Sequence, residues 1–427
     1  MKRYIKPLAT RLVGSVISFI CGVLYARMVI SSYGFDTYAV ASLLAAIPAL
    51  LPFADLGLGA SVVNASSDLT RDRTNARAKD TVVLAVRATV LSAIGLASVG
   101  CITAAIDAWP SLLGVGAAAS DVSLAGAIAL TFVGIGVVLA MAGRALQGMG
   151  RVSQVYLLTS IGPILGLLVA LAVVSSHPAT ALVGLAPFAG AIIASCLCVF
   201  PARRAYPGPI LRDLLSRKIH SGLTREIVST SSSSLIVTLG TVLAFQADRV
   251  ILGHFSSVDQ VGQYSLVAPM YIAGYALLNA VGQNLWPHYR DLKARSMMST
   301  SVLNLDVLRS GLLAALGGLA IVLAGPSITS LMTGDTDVDV NSALFFAFAG
   351  LAIIQGIHLP SAMLLTDSGG WRFQRNVVIV MAVAKLILSV LFAPSMGSVG
   401  VVAATLASVT ILQVPLTYLK ARRAAAA

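Results

Sequence analysis

Unbroken apolar stretches, most of them about twenty residues or longer, recur from one end of the chain to the other, and a run of that length is what an α-helix needs to cross a bilayer. They fall near residues 8–31, 38–66, 81–106, 122–147, 153–175, 180–200, 227–254, 263–286, 303–324, 340–365, 375–393 and 398–418, which makes about twelve spans joined by short loops. Charged residues make up only 11% of the sequence, against about 25% in a soluble globular domain. The apolar content comes mainly from Ala, Val, Leu, Ile and Gly, with aromatics at 6%. Small residues let membrane helices approach closely. A β-barrel would show alternating segments of about ten residues instead. The expected fold is therefore an all-α polytopic membrane protein.

The formal charge of +12 raises the question of nucleic acid, and its placement answers it. If both termini are cytoplasmic, the inner segments hold Arg71, Arg73, Arg77, Lys79, Arg144, Arg151, Arg203, Arg204, Arg212 and the later basic clusters up to Arg423. The outer loops then carry no Lys or Arg, only acids such as Asp36, Asp121, Asp259, Asp335, Asp337 and Asp339. That is the positive-inside pattern, with the basic residues facing anionic headgroups. No nucleic-acid partner is expected.

The longest inner segment separates six spans from six. It divides the chain into an N-terminal six-helix bundle (1–201), a cytoplasmic amphipathic linker (202–226) and a C-terminal six-helix bundle (227–427). In the linker, Ile210, Leu211, Leu214 and Leu215 alternate with Arg212, Arg217 and Lys218 in the manner of a helix lying on the inner leaflet. An internal repeat supports the division. ARMVI followed by SSYGFDTYAVAS is echoed by DRVIL followed by GHFSSVDQVGQYSLVAP, so that Arg27 corresponds to Arg249 and Tyr38 to Tyr264. LQGMGR at 146–151 is echoed by TDSGGWR at 366–372, at an offset of about 222 residues. Six spans per half give both halves one orientation, hence a parallel repeat. Two like lobes around a central cavity are a recurrent transporter plan.

Ionisable groups inside spans cost about 2.5–3.5 kcal/mol each on insertion scales and are functional candidates by default. Lys385 lies near the middle of its span, too deep to snorkel. It either lines a polar cavity that attracts an anion or pairs with a carboxylate such as Asp55 or Asp248. Asp55 sits among Pro48, Pro52, Gly57 and Gly59, a broken-helix setting in which ion coupling, substrate contact and helix capping all remain open. Asp248 and Arg249 are adjacent and point about 100° apart on a helix, so each needs a partner elsewhere. Arg249, Arg87 and Arg27 are candidates for a cationic cavity lining, or for interfacial anchoring. Cations outnumber acids in this set, which favours a phosphate- or pyrophosphate-bearing cargo. Asp55 and Asp248 are the candidates for coupling or latching.

Enzyme readings find little to rest on. There is one Glu and there are five His, with no H-E-x-x-H, G-x-S-x-G or phosphate-loop motif. The four Cys lie in apolar runs without metal-ligand spacing. No cofactor or metal is expected. A membrane-embedded glycan polymerase or ligase is the remaining alternative from the enzyme class.

With YGFDTYAVA (33–41), FADLGLGASVVN (53–64), LQGMGR (146–151), QADRVILGHF (246–255) and VGQYSLVAP (261–269), the chain resembles the polysaccharide transporter (O-antigen flippase type) branch of the multidrug/oligosaccharidyl-lipid/polysaccharide exporter superfamily. The resemblance implies two six-helix bundles around a cavity that opens alternately to either side. It implies movement of a polyprenyl-pyrophosphate-linked oligosaccharide across the bacterial cytoplasmic membrane, with H+ or Na+ as coupling ion and polysaccharide assembly proteins as neighbours. Ion-coupled export of small molecules is the alternative within transport. The span count stops near twelve, without the additional pair typical of the lipid II flippase branch, and the acid pattern of multidrug and toxin extrusion relatives is not evident.

Overall fold

The structure is a computed structural model and describes residues 2–50, 57–115, 121–176, 180–208, 210–216, 247–334, 336, 338–366 and 368–426. Asp55, Asp335, Asp337, linker residues 217–226 and most of the expected seventh span (227–246) lie outside the described residues.

The first half holds α1 (Lys2–Tyr33), α2 (Phe35–Leu50), α3 (Gly59–Arg71), α4 (Ala76–Ala105), α5 (Trp109–Leu113), α6 (Val122–Gly148), α7 (Val152–Thr159), α8 (Gly162–Ser176), α9 (Ala186–Ala205) and α10 (Ile210–Ser216). A 3₁₀ turn at Ala181–Leu185 leads into α9. The second half holds α11 (Asp248–Phe255), α12 (Val258–Ala294), α13 (Thr300–Thr333), α14 (Ser342–Leu364), α15 (Ser368–Ser408) and, after a π-helical turn at Val409–Gln413, α16 (Val414–Ala426). No strand occurs among the described residues. Eight of these helical stretches are long and apolar enough to cross a membrane, and Phe35–Ile47 is a shorter apolar helix. The protein is a multi-pass membrane protein.

Several differences from the sequence expectation have local causes. The expected span 153–175 is two helices, because Pro163 has no N–H to continue the ladder past Thr159. The expected span 263–286 is the middle of the 37-residue α12. The expected spans 375–393 and 398–418 run into one another but part at Gly397 (φ 55°, ψ −134°), just after Pro394. There the Gln260 side-chain oxygen accepts from the Ser398 N–H at 2.8 Å and its hydroxyl at 2.9 Å, satisfying donors at the start of the last helical segment. Polar residues set other helix starts. Asn75 accepts from the Ala78 N–H at 3.0 Å, and Asn341 from the Ala343 N–H at 2.9 Å.

Two compact units result: residues 1–33 with 40–239, and residues 34–39 with 240–427. In the first, α8 crosses α9 where Gly162 and Gly166 meet Ala186, Gly190 and Ala194, so that backbone touches backbone. In the second, Gly311, Gly318 and Gly325 of α13, spaced seven apart, face Ile357, Ala349 and Phe345 of α14. Both crossings use the small-residue packing that replaces a hydrophobic driving force inside lipid.

A Cβ at position 190 would collide with the Gly166 backbone, which cannot swing aside. Gly190→Val is expected to destabilise the fold by about 1–3 kcal/mol, the range for overpacked interiors. Gly95 has nothing within 4 Å of an added Cβ, so Gly95→Ala should leave the thermal midpoint in detergent unchanged or raised. Equal midpoints for Gly190→Val and the wild type would refute the packing argument.

Candidate functional site

The second unit draws together Asp248 from α11, Lys385 from α15 and Tyr264 from α12. Lys385 is fully buried, with zero exposure, and its ammonium forms an ion pair with Asp248 Oδ1. The other carboxylate oxygen accepts from the Tyr264 hydroxyl at 3.1 Å. An unpaired ammonium at that depth would be strongly disfavoured, and the Asp248 carboxylate supplies its partner. Of the alternatives open in the sequence, the structure shows Lys385 paired with Asp248.

Arg249, one residue further on, turns to a different neighbour. Its Nε donates to Ser265 Oγ at 3.0 Å, and its guanidinium lies 5.8 Å from the centre of the Tyr264 ring, within cation–π range. The Tyr38 hydroxyl donates to the Ser265 carbonyl at 3.0 Å, fixing the same turn of α12 from residues 34–39 of this unit. The cluster therefore carries two cations against one anion.

A row of aromatic rings extends from it. Tyr264 lies 5.5 Å from Phe348, Phe348 lies 5.5 Å from Tyr271, and Tyr271 stacks on Tyr275 at 5.8 Å. Tyr264, Tyr271 and Tyr275 follow i, i+7, i+11 spacing, which puts them on one face of α12. Sequence reasoning weighed Tyr264 only as a repeat marker and missed the row, although that spacing was there to be read.

The remaining candidates lie elsewhere. Arg27 sits exposed on α1 of the first unit. Arg87, also in the first unit, donates from Nε to the Leu214 carbonyl at 2.8 Å and from a terminal nitrogen to the Asp213 carbonyl at 3.3 Å. It thereby holds the last turn of α10, where a cation offsets unsatisfied carbonyls. Arg309 is exposed and forms an ion pair with Asp306 at 3.7 Å. Asp55 is outside the described residues. Among the described residues, no group of His, Cys, Asp and Glu could hold a metal ion.

Removing one partner of a buried pair leaves an uncompensated charge, which typically costs 3–5 kcal/mol, whereas replacing both with apolar residues can be neutral. Lys385→Met is therefore expected to lower the thermal midpoint and yield of the purified protein, with Asp248→Leu/Lys385→Met recovering most of the loss. A double-mutant cycle that shows additive effects would remove the pair from any structural role.

The sequence model of the family described as "Polysaccharide biosynthesis protein" matches residues 8–292. No curated protein sequence matches the chain. Among solved structures, the chain is similar to the lipid II flippase MurJ in an inward closed conformation, with TM-score 0.72, 12% identity and coverage of 97% of this chain and 89% of that one. It is also similar to a multidrug resistance MATE family transporter of the MOP superfamily in an inward-facing conformation, with TM-score 0.64, 14% identity and 97% of each chain covered. A MOP superfamily transporter from Pyrococcus furiosus, described as having a binding pocket of reverse polarity, gives TM-score 0.66 at 13% identity, over 99% of this chain and 95% of that one. These likenesses show a common fold. Because the family match spans more than half of the sequence, the chain belongs to the polysaccharide biosynthesis protein family.

Proposed function

We propose that the protein is a flippase that carries a polyprenyl-pyrophosphate-linked oligosaccharide across the bacterial cytoplasmic membrane by alternating access, for surface polysaccharide assembly. The observation that carries this reading is the excess cation beside the tyrosine row. A fully buried ammonium is paired with one carboxylate, a guanidinium bonded to Ser265 lies beside it, and Tyr271 and Tyr275 stack along the same helix face. Pyrophosphate suits the cations, since Arg and Lys make charge-assisted bonds to phosphate oxygens. The flat C–H faces of sugar rings suit aromatic rings. Family membership and the fold shared with a lipid II flippase support the same cargo class.

In this reading the Lys385–Asp248 pair is the latch. An arriving pyrophosphate competes with Asp248 for Lys385, and a proton or Na+ that neutralises the carboxylate weakens the pair further, so each biases a two-state element through differential affinity. Arg249 lines the path beside it, Asp55 is a second coupling group, and within the first unit Arg27 is a further cationic contact while Arg87 is engaged by α10. The positive-inside bias of the loop charges supports cytoplasmic termini. The MATE likeness favours a second reading, ion-coupled export of small molecules.

The decisive assay is the sidedness of lipid-linked oligosaccharide in cells depleted of the protein, read with an outer-leaflet probe against total lipid-linked glycan. The intermediate should accumulate beyond the probe's reach, and re-expression should release it. Asp248→Leu/Lys385→Met should stay folded but restore less than about a tenth of the release, equivalent to about 1.4 kcal/mol or more of lost function. An unchanged leaflet distribution, with dye efflux dependent on the protein, would transfer the assignment to small-molecule export.

A further inference from the structure

The first unit contains a cavity of about 260 Å³ between α3, α4, α6, α9 and α10. Val62, Val86, Val138 and Ala142 are among its walls, and the lining is almost wholly apolar. Along α6 and its C-cap the lining runs from Val138 to Met149, about 16 Å at 1.5 Å per residue. A volume of that size spread over that length makes an elongated slot, a shape that suits an extended hydrocarbon chain. The slot lies along the helix axis, the direction in which a lipid chain runs in a bilayer.

Two polar groups mark one end of this slot. Ser66 lines it near the end of α3, and its buried hydroxyl has no hydrogen-bond partner among the described residues. A buried hydroxyl left unbonded carries a desolvation cost that a ligand oxygen or water would relieve. Arg203 also lines the slot, is exposed, and makes no hydrogen bond or ion pair among the described residues. The turns 72–75 and 149–151 lie at this end, as the Arg73 contact with the Ala205 carbonyl (3.4 Å) and the Met149 lining show.

The same end is covered by α10. Leu214 faces into the slot, while Leu215 is 87% exposed on the other side. Arg87 holds the helix by the Asp213 and Leu214 carbonyls, and the Tyr206 hydroxyl donates to the Asp213 carboxylate at 3.0 Å. Three hydrogen bonds from two side chains thus tie a seven-residue helix across an apolar slot. A cover of that kind has a purpose only if something enters.

We infer that the slot is a binding site for the hydrocarbon chain of a polyprenyl phosphate-type lipid, with its phosphate at Arg203 and Ser66 and with α10 as the lid. A single-chain anionic lipid matches the elongated apolar lining and the cation at the rim, and competition by a diacyl phospholipid is the outcome that would contradict it. This rests on the reading of the protein as a carrier of lipid-linked cargo, and it adds a tail site in a unit that does not contain the Lys385 cluster.

The test uses the full-length protein in nanodiscs and a polyprenyl phosphate bearing a diazirine on its chain. Photolabelling should map to α4, α6 and α9, and unlabelled undecaprenyl phosphate should compete. Equimolar phosphatidylglycerol or inorganic pyrophosphate should not. Val138→Trp, which fills the slot, should cut labelling at least tenfold. Arg203→Gln, a change at an exposed side chain, should cut it at least threefold with an unaltered melting temperature. Labelling indifferent to both changes, or displaced equally by phosphatidylglycerol, overturns the inference. Since no transport is measured, the two readings fail separately: a protein that labels in this way but flips nothing keeps the tail site and loses the flippase assignment.

Discussion

In hydrocarbon, a backbone N–H or C=O finds no water, so each segment that crosses a bilayer has to satisfy its own polar groups. Everything else in this molecule follows from that constraint. It makes the described residues helical apart from short connections, with no strand among them. It confines breaks to places where a specific group repairs the ladder, as Gln260 does beside Gly397. It also removes the hydrophobic effect as a force between helices, which leaves close packing of small residues to hold each unit together. The backbone contacts at Gly190 and the seven-residue glycine spacing of α13 are the outcome.

Against that apolar background a buried charge is conspicuous, and this chain keeps one at zero exposure. Lys385 is tolerated because Asp248 neutralises it and Tyr264 satisfies the second carboxylate oxygen. Such a pair adds little net stability relative to apolar packing, because desolvation consumes most of the Coulomb gain. In the proposed flippase the pair is one of two alternative states, and its place in the span is explained by that switching role. The pair holds only while nothing competes for either partner, and an anion or a proton is such a competitor. In the proposed flippase, Arg249 and the tyrosine row are where an anionic, sugar-bearing cargo would bind once the pair opens.

Arg87 shows how a residue chosen on charge alone can have a second use. Its depth and sign made it a candidate for a cavity lining, and here it grips the carbonyl end of α10. The amphipathic segment read from Leu214 and Leu215 turns out to have two distinct faces, one over a slot and one outward. Residues 210–216 of the linker are thus joined to their unit by named contacts.

Much of this was legible before any coordinates. The length of the apolar runs dictated membrane helices, because 1.5 Å per residue across about 30 Å of hydrocarbon permits no other reading. The break near Pro394 and Gly397 was visible, since proline removes a donor and glycine alone accepts the positive φ found there. Lys385, Asp248 and Arg249 stood out because charge is rare at such depth. What the residue string could not supply was pairing. Asp55 and Asp248 were equal candidates for Lys385, and no periodicity chooses between carboxylates 137 residues away or further in the sequence. The same holds for the covered slot, whose walls come from five helices. Local chemistry is written in sequence because it depends on neighbours along the chain. Which helices meet, and therefore which charges cancel and which cavities close, depends on packing between segments distant in sequence, and only the tertiary structure decides it.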